Sequence, residues 1–221
     1  WEIDVASVAA APAGTRALLL VSPNNPTGSY VSAPEIEALG GLCRDRGWAL
    51  IVDEVFADYT LEAAAPITDL AGRADVLTFS MGGASKSLGL PQVKLGWTVV
   101  GGPAADREAA LEGLELIADT FLSVSTPVQV AAASLLQRGA TVRGAIHTRV
   151  RANLAAARRI AASHPSWHLL PVEGGWSADV RVPATPGEEA VVLDLLARER
   201  ILGHPGYFFD FEHEAFLVVS L

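Results

Sequence analysis

Lysine is nearly absent from this chain of 221 residues. Of its sixteen basic residues fourteen are arginine, and the lysines are Lys86 and Lys94. Any amine chemistry therefore has two candidate side chains. Cysteine is reduced to Cys43, which excludes an internal disulfide or a thiolate metal cluster and suits a reducing cytoplasmic setting. Positive charge is scarce as well: sixteen basic against twenty-five acidic residues leave a net charge of −9. Such a field repels polyphosphate and argues against a nucleic-acid or anionic-membrane partner. No apolar run reaches the roughly 18 residues of a membrane span, and no secretory leader is recognisable. The five histidines show no ligand spacing, so no metal site is expected. Methionine occurs once, at Met81, and the chain opens on Trp1 and closes on an apolar stretch, 215–221. It reads as a piece of a longer protein.

What the chain has is apolar bulk. Half its residues are hydrophobic and 19% are charged, which excludes disorder and a coiled coil. The first half alternates short apolar runs with helical stretches. Strands are expected at 17–22, 48–53, 75–80 and 95–101. Ser32-Ala-Pro-Glu35 has the form of a capping box opening a helix that runs to Arg46 and stops at Gly47. Continuous apolar strands separated by helices predict an α/β fold with a mostly parallel sheet covered on both faces. In such sheets ligands sit beyond the carboxyl ends of the strands. Asn25, Asp53 and a Gly/Ser-rich loop running from Ser80 to Lys86 all fall at that rim. The second half changes character, with helices expected over 104–120, 127–138, 141–162 and 188–199. Strands are expected at 167–172, 176–182 and 215–221, a smaller α+β domain. The boundary is placed between residues 1–150 and 151–221.

Lys86 lies in Met81-Gly-Gly-Ala-Ser-Lys-Ser-Leu-Gly-Leu90, small residues that let backbone approach a ligand. A lysine there can serve as a nucleophile or as a solvated surface charge. Asp53 ends the apolar strand Trp48–Asp53, and a carboxylate so placed needs a cation or strong donors. Asn25 sits in an Asn-Pro-Thr-Gly turn, where asparagine often bonds its own backbone.

Three segments together, Pro23-Asn-Asn-Pro-Thr-Gly28, Asp53-Glu-Val-Phe56 and Ser85-Lys86-Ser-Leu-Gly-Leu-Pro-Gln-Val-Lys-Leu-Gly96, resemble the signature segments of class I/II aminotransferases. These are pyridoxal-phosphate (PLP) enzymes of fold type I. The resemblance covers essentially the whole chain. It implies the later half of the PLP-binding large domain, incomplete, followed by most of the carboxy-terminal small domain, with a phosphate-binding loop and a stacking aromatic in upstream segments not included here. It implies that Lys86 forms a Schiff base with PLP and then shuttles the substrate α-proton. Asp53 would pair with the pyridine nitrogen, Asn25 would donate to the ring oxygen, and Lys94 would neutralise the phosphate. It further implies a homodimer acting on a small-molecule amino donor and a 2-oxo acid. The same lysine and aspartate would also serve a lyase or decarboxylase, or a non-catalytic effector domain of a transcriptional regulator.

Some positions depart from that pattern. Phe56 stands where many members have tyrosine, Gly83 where serine is common, and Lys94 where arginine is usual, leaving charge without the planar fork. In Glu214-Ala-Phe-Leu-Val-Val-Ser220, Val218 stands where the resemblance implies the arginine that clamps the substrate carboxylate. Arg181 is the substitute candidate, and Trp176 with Tyr207 are candidates for an apolar substrate wall. Losing the phenol at Phe56 should raise the Schiff-base pKa. The variant Phe56→Tyr is expected to lower it in a spectroscopic titration of the PLP-loaded protein, and an unchanged value would refute the assignment.

Overall fold

The computed structural model describes residues 1–62, 71–121, 123–213 and 215–221. A short helix α1 (Val5–Ala9) precedes strand β1 (Ala17–Val21), helix α2 (Ala33–Arg46) and strand β2 (Ala49–Asp53). Strand β3 (Thr78–Gly83), the one-turn helix α3 (Ala84–Ser87) and strand β4 (Gly96–Gly101) follow. They form a sheet ordered β1-β2-β3-β4, parallel from β1 to β3 and antiparallel at β4.

The start of α2 is held as the capping box requires. Ser32 N–H donates to Glu35 Oε2 at 2.7 Å, and Glu35 N–H returns a long bond to Ser32 Oγ at 3.5 Å. Gly47 ends it at φ 65°, a left-handed conformation in which glycine carries no Cβ penalty. Ile36, Leu39 and Cys43 repeat at helical spacing, so one face of α2 is apolar. That face packs on Leu20, Leu50 and Val52 of β1 and β2, with Trp48 and Val76 closing the core. Burying side chains of this size contributes roughly 1.5–3 kcal/mol each.

The opposite face of the sheet is open. Leu19 is 63% exposed and Val99 49%, although continuous apolar strands predict cover on both sides. Helix α4 (Ala104–Thr120) has no buried residue, and the next helix makes its contacts elsewhere. Strand β3 also lies later than expected. Asp75 is held outside it by Arg44 and Arg73 at 2.7 and 2.8 Å, and the strand continues through Gly82 and Gly83 to pair with Trp97 and Gly96. A Cβ on Gly82 would stand 2.3 Å from Trp97 Nε1, so the absent side chain makes room for the indole.

Helix α5 (Thr126–Ala162) is a single helix of 37 residues where two were expected on either side of Gly139. Packing explains the continuity: Gly139 is buried and faces Leu88, whose Cδ2 lies 2.2 Å from where a Cβ would be. Further along, α5 buries Val150 and Leu154. The second sheet comprises β5 (His168–Leu169), β6 (Ser177–Arg181), β7 (His204–Pro205) and β8 (Phe216–Ser220), ordered β5-β6-β8-β7 and antiparallel throughout. The expected strands over 167–172 and 215–221 are thus shorter, and β7 was unforeseen. Glu214 lies outside the described residues. Helix α6 (Glu188–Asp194) runs on into a π-turn, Leu195–Glu199. Ala178 and Val219, register partners on β6 and β8, pack with Leu154 and Val172.

The glycines of α5 give a clean test. Gly139→Val should overpack Leu88 and lower stability by about 1–3 kcal/mol. Gly144→Ala, where nothing lies within 4 Å of a new Cβ, should add about 0.5–1 kcal/mol. Both are read from the urea midpoint.

Candidate active site

The carboxyl ends of the parallel strands stand level, with Val21, Asp53 and Met81 as register partners across β1, β2 and β3. The turn after β1 presents Asn25. It is closed by Asn24 N–H to Ser29 O and Gly28 N–H to Asn24 O, both at 2.8 Å, and by Asn24 Nδ2 donating to Thr27 Oγ1 at 3.0 Å. The carbonyl of Gly28 accepts the N–H groups of Glu173 and Gly174 at 3.1 and 2.9 Å. A Cβ on Gly28, already at φ 69°, would lie 2.7 Å from Gly174 O. This contact seats the lead-in to β6 on the rim of the first sheet. There Ser177 Oγ donates to Asn25 Oδ1 at 3.3 Å.

Asp53 accepts from Val55 N–H through Oδ1 at 3.0 Å; among the described residues its other oxygen accepts nothing. Lys86 lies on α3 rather than in a loop. Its Nζ stands 5.4 Å from the centre of the Phe56 ring and 5.3 Å from that of Trp176. The two rings meet edge-on at 5.4 Å. No carboxylate pairs with this amine among the described residues. Its backbone is fixed by Tyr59, a fully buried ring whose hydroxyl donates to Lys86 O at 2.6 Å. Burial, helped by the nearby Asp58 charge, pushes the Tyr59 phenol up to about 12, so it stays a donor at neutral pH. Helix α5 braces the same segment. Arg143 bridges Asp58 at 3.2 Å and reaches Ser87 Oγ at 3.4 Å, and His147 Nε2 donates to Thr60 O at 2.6 Å.

The remaining candidates are scattered. Gly83 ends β3 in an extended conformation and Ser85 stands next to Lys86, half-buried. Lys94 is exposed, at φ 51° after the 3-10 turn Pro91–Val93. Arg181 is exposed and lies four residues along β6 from Ser177, about 13 Å at strand rise. Tyr207 is exposed in the turn Gly206–Phe209. The fold therefore gathers Asn25, Asp53, Phe56, Lys86 and Trp176 at one rim; among the described residues no contact joins Arg181 or Tyr207 to the amine. Tyr59, Arg143, His147 and Ser177 are the residues that sequence reasoning missed. Tyr59 had a signal in lying six residues past Asp53 in the same segment; the others come from remote elements. Two buried polar groups have no partner among the described residues: Trp176 Nε1 and both carboxylate oxygens of Asp179.

A mixed, mostly parallel sheet with a lysine just past β3 and an antiparallel second sheet is the architecture of PLP fold type I. The chain belongs to the aminotransferase class I and II family, whose sequence model matches residues 1–213, and the family is PLP-dependent. It is 24% identical over 223 residues to the glutamate-pyruvate aminotransferase AlaA of Haemophilus influenzae, covering 95% of this chain and 54% of the relative. Among solved structures it superimposes on alanine aminotransferase from Pyrococcus furiosus with a TM-score of 0.83 at 20% identity, over all of this chain and 56% of that one. It also superimposes on the PLP-dependent cyclase OrfR with a TM-score of 0.74 at 29% identity, covering 99% of this chain and 57% of that one. The chain thus spans about half the length of the relatives it matches. The rim fits PLP: an amine and a carboxylate oxygen with no partner among the described residues, together with an exposed carboxamide, supply the donor set. No described helix is long and apolar enough to cross a membrane.

Burial raises the Asp179 carboxyl to about 6, against about 3.9 for an unfolded chain. The folded protein therefore takes up a proton near pH 6 that the unfolded chain takes up only near pH 4. Above pH 6 the ionised group costs about 3 kcal/mol, and the cost fades as the pH falls through that window. Asp179→Asn should accordingly stabilise the protein by about 1–3 kcal/mol at pH 8 and by little at pH 4. Urea unfolding across that range measures it.

Proposed function

We propose that the whole protein is a PLP-dependent aminotransferase that moves an amino group between an amino acid and a 2-oxo acid. The observation that carries this reading is Lys86 Nζ, unpaired by any described carboxylate, lying against the Phe56–Trp176 ring pair. When bound, the cofactor supplies an aldehyde for an amine and a ring that accepts carbanion charge. The residues of this chain would take the following parts. Phe56 and Trp176 lie against Nζ, the amine that would hold the cofactor's aldehyde carbon and that would hold and return a proton at the substrate α-carbon. Asp53, with one oxygen that accepts nothing among the described residues, would hold the protonated ring nitrogen. Asn25 would donate through Nδ2 to the ring oxygen, its Oδ1 being taken by Ser177. Lys94 would bring positive charge to the phosphate, with Gly83 and Ser85 offering further donors. Trp176 Nε1, buried and unpartnered, is a donor for an oxygen of the substrate. Arg181 and Tyr207 would then act only on the outer parts of a long substrate.

The relatives' names support an amino donor and a 2-oxo acid as substrates. A homodimer, a cytoplasmic setting and a division into residues 1–150 and 151–221 complete the reading. The two sheets support that division, the first spanning residues 17–101 and the second 168–220. A second reading has its own observation: the cyclase is 29% identical over 99% of this chain, so the same rim could serve a different PLP reaction.

The test is the absorbance of the full-length protein with PLP, followed by an amino-donor screen. The wild type should show a band near the visible edge and release a 2-oxo acid from the donor. Lys86→Ala should lose the band and at least about a thousandfold in turnover. An unchanged band in the variant would refute the role of Lys86. A cyclised product formed without a 2-oxo acceptor would favour the second reading.

A further inference from the structure

Asp179 sits in the middle of β6 with a relative exposure of 1%. Neither carboxylate oxygen has a partner among the described residues. A buried carboxylate left so is costly, and the usual remedies are a cation or several strong donors. Its place in the sheet says where such a cation would come from. Ala178 and Val219 turn toward Leu154 of α5, so by strand alternation Asp179 turns to the other face. On that face it shares a row with Val218, its register partner, and stands two residues from Ser177. Ser177 hydrogen-bonds Asn25, so this face of β6 runs toward the rim that holds Lys86. Its apolar neighbour Val218 offers it no charge. Arg181, on the same face, is exposed and forms no ion pair with it among the described residues.

We propose that Asp179 selects substrates bearing a second cationic group, an ammonium or guanidinium at the far end of the amino acid's side chain. The inference deepens the reading of Lys86 as the reacting amine and rests on it for the substrate's orientation. A desolvated, charge-assisted bond of this kind should favour the cation over a neutral molecule of the same shape by about 10–100-fold.

The experiment is calorimetric titration of the full-length, PLP-loaded Lys86→Ala protein, so that binding is read apart from chemistry at Lys86. The probes are shape-matched pairs: L-arginine with L-citrulline, and L-lysine with L-norleucine. The expected result is at least tenfold tighter binding of each cationic member. In Asp179→Asn that preference should vanish while citrulline and norleucine bind about as before. Val218→Arg, which gives Asp179 an internal counter-ion, should abolish the preference independently and covers the case in which the asparagine variant does not fold. Equal affinities within each pair before Asp179 is changed, or a preference that survives both substitutions, would overturn the proposal whatever the absorbance of Lys86 shows. A preserved preference without a Lys86-dependent band would instead leave Asp179 standing and remove the reading of Lys86.

Discussion

The close approach of Gly28 to the 173–174 backbone is the contact on which the arrangement of the site depends. One carbonyl holds two N–H groups at 3.1 and 2.9 Å, in a space that a single methyl group would fill. Because of it, a turn of the first sheet and the lead-in of the second arrive at the same point. Asn25 meets Ser177, and the Trp176 ring stands near Lys86. Tyr30 reinforces the junction, its N–H donating to Glu173 Oε2 at 2.9 Å and its hydroxyl meeting Thr60 Oγ1 at the same distance. Separating the two backbones would leave the rim of the first sheet without its aromatic wall.

Around that junction the fold assigns different tasks to different kinds of element. Rigid parallel strands deliver Asp53 at a fixed height. A one-turn helix, held by the Tyr59 hydroxyl at its carbonyl, sets the direction of Lys86. Helix α5 reaches across with Arg143 and His147 to anchor the segment between them. The side chains read as chemical are thus each held by a neighbour that does no chemistry, which is how a site is kept within the tolerance that catalysis needs.

The alternation of strand and helix, the capped α2 and the three segments carrying Asn25, Asp53 and Lys86 were legible because each is written in contiguous residues. Other features were not, and the reason is physical in each case. Gly139 is a helix breaker by propensity, but contact with Leu88 outweighs about 1 kcal/mol of backbone preference. Covered faces were inferred for the sheet from apolar strands, yet Leu19 is exposed and α4 buries none of its residues. Tyr59, Arg143, His147 and Ser177 gain their meaning from partners 27 to 152 residues away, which no local pattern records. Asp179 stands in a strand that also carries Ser177 and Arg181, and nothing in that local pattern records its burial or its lack of a described partner.

Helix α5 has a mechanical consequence. At 1.5 Å per residue its 37 residues make a rod of about 55 Å, bearing on Leu88 at Gly139 and on the second core at Leu154. Those two bearings are about 22 Å apart. A tilt of about 5° at the glycine contact would displace the helix by about 2 Å at Leu154, the scale of a hydrogen bond made or broken. Between those bearings Arg143 and His147 tie the rod to Asp58 and Thr60, so a displacement at one sheet is passed along its length to the other.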